Sequence, residues 1–81
     1  MSARPVERRA ERLVAVVRKN NHEEFRFTVA KSHGRHIASV RLWFSTDDGE
    51  MRPSKEGLAV HVELAIAIAD ALRLTAIEAR Q

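Results

Sequence analysis

The spacing of apolar residues divides the chain into a sheet-forming front and a helical tail. Leu13 to Val17 is a short β-branched run that fits a strand, although a helix continuing from Pro5 fits it as well. Asn20-Asn21-His22 has turn chemistry. From Phe25 the period is two: Phe25, Phe27 and Val29 point one way, Arg26, Thr28 and Ala30 the other. Ser32-His33-Gly34 predicts the next turn. A longer strand follows from about Arg35 to Ser45, with Ala38, Val40, Leu42 and Phe44 on one face and Ile37, Ser39, Arg41 and Trp43 on the other. Asp48-Gly49 is a strong hairpin signal. The return from Glu50 to Val60 is interrupted by Pro53, Ser54 and Gly57, which predicts an edge strand broken in its middle.

From Val62 to Glu78 the period becomes helical. Val62, Ala65, Ala69, Leu72 and Ala76 form one stripe, widened by Leu64, Ile68, Ala71 and Ile77, while Ile66 and Leu74 lie outside it. A helix resting on one small sheet needs a single apolar face. Apolar residues on more than one side predict two partners: its own sheet, and the same helix of a second copy, since two-fold dimers are the commonest oligomers. Val62, Ile66, Ala69 and Leu74 are the expected dimer contacts. The fold class is α+β, three or four hairpin-linked antiparallel strands followed by one C-terminal helix that covers one face of the sheet. Residues 13–81 form the domain, and residues 1–12 read as a charged arm, flexible or helical.

Composition narrows the chemistry. The chain has 81 residues and no cysteine, which excludes a disulfide scaffold and a thiolate zinc site. So small a chain buries little surface alone, a second reason to expect a dimer. The net charge of +3 is uneven. Residues 1–57 carry 12 Lys/Arg against 8 Asp/Glu, a net +4, whereas residues 58–81 carry 2 against 3, a net −1. No apolar run is long enough for a signal peptide or a membrane span, so a cytoplasmic protein is expected.

If the helix covers the face bearing Phe25, Phe27 and Val40, the other face displays Arg26, Thr28, Arg41 and Trp43. Arg41 and Trp43, two apart on one strand, stand about 7 Å apart on one surface. An exposed aromatic ring among guanidinium groups suits unpaired bases, which stack while cations follow the phosphates. Lys31, Arg35, Arg52 and Lys55 add charge at strand ends and turns. An equal alternative is that Trp43 is a core or dimer residue and the arginines are merely solvated.

Other chemistries lack their spacing. His22, His33, His36 and His61 are dispersed, with no HxxxH or HExxH pair, so no metal site is expected. His33 and His36 flank Gly34 and read as solvated turn residues or weak phosphate contacts. Asp47, Asp48 and Glu50 read as a solvated hairpin. There is no nucleophile elbow and no glycine-rich phosphate loop, so neither an enzyme nor a cofactor is expected.

The run RLWFSTDDGEMRPSKEG, Arg41 to Gly57, resembles the signature of the positive cofactor four family of single-stranded-DNA-binding transcriptional coactivators. Upstream, RKNNHEEFRFTVAKSHG is similar to the first strands and glycine turn of bacterial members, and the likeness spans about residues 13–78. The resemblance implies a Whirly-like homodimer, each copy a curved antiparallel four-stranded sheet followed by one C-terminal helix, that binds single-stranded DNA or melted duplex, without enzymatic activity or cofactor, in bacteria or a phage. It implies contacts from Arg41, Phe44, Arg52, Lys55 and the basic hairpin of His33 and Arg35; Arg26 and Trp43 are added from the strand pattern. Two departures remove potential DNA contacts: Lys55 is followed by Glu56, and Lys31-Ser32-His33 lacks an aromatic. Strand parity favours Trp43 as the stacking ring and the family pattern favours Phe44, unless a bulge or twist near Ser45 exposes both. A role in transcription regulation or DNA maintenance follows from this reading. The transcription machinery is a further expected partner. An adaptor dimer whose basic face meets an acidic protein, or an RNA-binding protein using the same face, is the alternative.

Overall fold

The computed structural model describes residues 11–81. Most of the expected arm therefore lies outside the described residues, and Arg12 already belongs to the first strand. Four strands, β1 (Arg12–Arg18), β2 (Glu23–Ser32), β3 (Arg35–Ser45) and β4 (Met51–His61), are followed by helix α1 (Val62–Ala79). The sheet is antiparallel with spatial order β1-β2-β3-β4.

The Leu13–Val17 run is a strand, which closes the helical alternative. Its turn is fixed by Asn20, whose Oδ1 accepts from the backbone N–H of His22 at 2.8 Å while its amide donates to Glu23 Oε1 at 2.7 Å. The β2–β3 connection is a two-residue turn with positive φ at His33 (53°) and Gly34 (78°), whose twist matches that of the flanking strands. It sets an uninterrupted register from Glu23↔Phe44 to Ser32↔Arg35. In the β3–β4 turn the backbone N–H of Gly49 donates to Thr46 O at 2.9 Å. Asp48 Oδ1 accepts from the Thr46 hydroxyl and from the Glu50 N–H.

β4 is an edge strand but is not broken. Its pairing jumps from Arg41↔Gly57 to Trp43↔Pro53, so Ser54, Lys55 and Glu56 stand opposite Leu42 alone. Two extra residues leave the alternation of faces unchanged on either side of the bulge. Gly57 permits the close approach: a Cβ there would lie 2.7 Å from the carbonyl oxygen of Val40.

Helix α1 begins directly after β4, with His61 at the N-cap position making no side-chain capping bond. It lies over Phe27, Ala38, Val40, Leu58 and Val60, presenting Ala65, Ile68, Ala69 and Leu72 to an apolar groove of about 280 Å³. The sheet covers less of the helix than the stripe predicts. Only Ala65 and Ile68 are half-buried; the remaining helical positions are exposed. Among the described residues Leu42 alone is buried, at 5% exposure, while Ile66 and Leu74 are each 58% exposed and Leu72 is 65% exposed. Of the expected dimer contacts, Val62, Ile66 and Leu74 are open to solvent, whereas Ala69 faces the groove toward the chain's own sheet.

Candidate nucleic-acid interface

The register assembles the face opposite the helix. Arg26 pairs with Arg41, Thr28 with Ser39 and Glu24 with Trp43 across β2 and β3. On the flanks, Leu13 stands opposite Thr28, and Pro53 opposite Trp43. These side chains line a trough of about 570 Å³ bounded by Glu11, Leu13, Arg26, Thr28, Ser39, Arg41, Trp43 and Pro53. Its floor combines an indole, two guanidinium groups and two hydroxyls.

Two of these cations are pre-positioned. The Arg26 guanidinium lies over the Trp43 ring, 4.0 Å from its centroid, an attraction between the cation and the π face. Glu24 holds it there, Oε2 accepting from Arg26 Nε at 2.7 Å while Oε1 approaches Arg18 Nη1 at 3.5 Å. One face of the indole is thus already stacked, a contact not anticipated from the sequence: Arg26 and Trp43 are neighbours only on the diagonal of a known register. Arg41 Nη1 donates to the Ser54 carbonyl at 3.0 Å and so braces the β4 bulge. That bulge displays Lys55, which is exposed.

The remaining expected site residues are placed elsewhere. Phe44 pairs with Arg52, and both have the parity of Leu42 and Val40, on the helix-side face but beyond the residues that α1 covers. The expected irregularity near Ser45 is not observed; among the described residues the ladder is interrupted in β4 and, between Leu13 and Ala15, in β1. Trp43 and Phe44 therefore point to opposite faces, the simple consequence of strand alternation. His33 is at the hairpin tip, and Arg35 Nη1 lies 3.0 Å from His61 Nε2. The structure thus brings Arg26, Arg41 and Trp43 together, sets Lys55 on the adjoining bulge, and leaves Phe44 with Arg52, and His33 with Arg35, as separate groups.

An open, twisted four-stranded sheet with one C-terminal helix, basic and aromatic on its uncovered face, has the PC4-like fold. The chain is similar to the crystal structure of BPSL1147, a PC4 homologue from Burkholderia pseudomallei, at 25% identity with a TM-score of 0.71, covering 83% of this chain and 90% of that one. A second crystal form of the same protein matches at 26% identity and a TM-score of 0.71, covering 82% and 97%. A bacteriophage T5 homologue of the eukaryotic transcription coactivator PC4, implicated in recombination-dependent DNA replication, shares the fold at 20% identity and a TM-score of 0.54, covering 86% and 78%. No family model matches the sequence, and the comparison with curated proteins finds no relative. The structural neighbours are PC4 homologues and support the family resemblance carried by Arg41 to Gly57.

Proposed function

We propose that the chain is a homodimeric single-stranded-DNA-binding protein, not an enzyme, acting in transcription regulation or DNA maintenance in the cytoplasm of a bacterium or of a phage-infected cell. The observation that carries DNA binding is the trough in which Trp43 lies between Arg26, Arg41 and Pro53. It offers a π face for unpaired bases and fixed cations for phosphates, with no requirement for a particular sequence. Likeness to PC4 homologues agrees with this reading. Among the described residues no helix is long and apolar enough to cross a membrane.

Dimerisation is supported by what one copy leaves uncovered. Leu64, Ile66, Leu72, Leu74 and Ile77 on α1 are all exposed, alongside an open apolar groove against the sheet. Such a surface on a lone protomer is an aggregation liability. A second copy of the helix removes it.

The test is a titration of oligo-dT into the protein, followed by Trp43 emission, the single tryptophan of the chain. Saturable binding is expected, with log K falling against log salt by about 0.7 for each phosphate contacted. Absence of binding at low salt, or equal affinity for a duplex of the same length, would overturn the proposal.

A further inference from the structure

The open face does not end at the trough. On β3 the same parity runs Trp43, Arg41, Ser39, Ile37, Arg35, and Ile37 stands opposite His61 of β4. From Arg41 to Arg35 this row covers about 20 Å at the usual strand rise. It arrives at a second cavity of about 490 Å³, lined by Arg35, His36, His61, Val62 and Glu63. His36 also borders a smaller cleft of about 160 Å³ on the other face, with Arg12, Val29, Ala30 and Lys31. Groups separated by up to 49 positions along the chain thus form one basic pole at the hairpin end. Its fixed cations are Arg12, Lys31 and Arg35, and its titratable bases are His36 and His61, with His33 at the adjoining tip. Glu63, from the first turn of α1, is the one acid lining either cavity among the described residues.

We propose that a nucleic-acid strand held in the Trp43 trough continues along β3 and lays a phosphate between Arg35, His36 and His61, with affinity that rises as the imidazoles take up protons. This rests on the single-stranded-DNA reading and extends it to His36 and His61, to which the family resemblance assigns no contact. The Arg35–His61 contact supplies the chemistry. At 3.0 Å, His61 Nε2 receives an N–H of Arg35, which requires a ring with Nε2 unprotonated. Protonation ends that bond and leaves two neighbouring cations that need an anion between them. A phosphate oxygen accepts from both. His36 lines the same cavity, and its cross-strand partner is Lys31.

The test is the anisotropy of labelled oligo-dT, whose bases do not titrate between pH 6 and pH 8, measured at constant ionic strength. A histidine whose proton is held ten times more tightly beside a phosphate gives about a fivefold tightening between pH 8 and pH 6. The wild-type protein is expected to show that gain once or twice over, and His36→Gln/His61→Gln to lose it while keeping its circular dichroism and melting transition. Nuclear magnetic resonance titration of the imidazoles should show His61 and His36 holding their protons to higher pH in the presence of saturating oligo-dT. Arg35→Ala is expected to lower the salt slope by about 0.7. Binding that does not respond to pH, or a double variant with the wild-type response, overturns this inference alone. No binding at any pH overturns the single-stranded-DNA reading with it.

Discussion

Gly57→Ala tests whether the β4 bulge both stabilises the sheet and aims Arg41. The added methyl would lie 2.7 Å from the Val40 carbonyl oxygen, 3.1 Å from Arg41 Cζ and 3.2 Å from Arg41 Nη1. The first contact is with backbone and is relieved only by parting β3 from β4. The other two are with the guanidinium that donates to Ser54 O. Forcing one methyl group into a tight site costs about 1–3 kcal/mol. Against this, alanine restricts the unfolded chain and returns about 0.4–1 kcal/mol. The net is a destabilisation of about 1–2 kcal/mol. At about 4–8 °C per kcal/mol for a domain of this size, Tm should fall by roughly 4–16 °C. Melting must be compared at equal protein concentration, because a dimer's Tm depends on it. Displacing Arg41 should also weaken oligo-dT binding by more than the unfolded fraction explains. A variant within 2 °C of wild type and with unchanged affinity would refute the account of both the close approach and the brace.

Other expectations follow from single contacts. Arg26→Ala should shift Trp43 emission to the red, since water replaces the guanidinium on the ring, and unchanged emission would contradict the stack; the lost attraction is about 0.5–1 kcal/mol. Ile66→Glu with Leu74→Glu should convert a dimer to monomers in analytical ultracentrifugation, and an unaltered mass would remove α1 from the interface. The Asp48 carboxyl is held below its usual pKa by the Thr46 hydroxyl and then by the Glu50 N–H. A lowered pKa stabilises the fold above the ordinary aspartate range and ceases to do so as pH falls through the folded value. The Tm difference between wild type and Asp48→Ala should therefore be largest near pH 6 and shrink toward pH 2.

Much of the sheet was legible because Phe25 to Val29 and Ala38 to Phe44 alternate with period two, and one face of a strand pair must be apolar. The same regularity placed Arg41 beside Trp43. The run Leu13 to Val17 was ambiguous because a leucine, an alanine and three valines in a row satisfy either period; pairing with β2 decides it. Pro53 and Gly57 announced an irregularity in β4, but its width depends on how β3 continues opposite. Contacts that need a register were out of reach. Arg26 reaches Trp43, and Arg35 reaches His61, only once the His33-Gly34 turn has fixed which residues face each other. The helix was read as apolar on more than one side, and it is; how little of it the sheet covers depends on the angle at which α1 leaves β4.

The opposite orientations of Trp43 and Phe44 bear on how one strand of DNA uses both. Trp43 stands in the trough with Arg26 and Arg41. Phe44 stands on the reverse face, paired with Arg52 and 37% exposed, beyond the residues that α1 covers. A nucleic acid that touches both rings must pass around the end of the sheet near the β3–β4 turn, meeting each ring with a different base. Two bases stacking on two rings without shared neighbours contribute independently, each by about 1–3 kcal/mol. The losses for Trp43→Ala and Phe44→Ala in oligo-dT affinity should then add to within about 0.5 kcal/mol in the double variant. A coupling well above that would place both rings in one stacking column, which strand alternation in β3 forbids without a distortion on binding. If Phe44→Ala left affinity unchanged while Trp43→Ala reduced it, the strand would be confined to the open face, and the contact that the family resemblance implies at Phe44 would not hold in this chain.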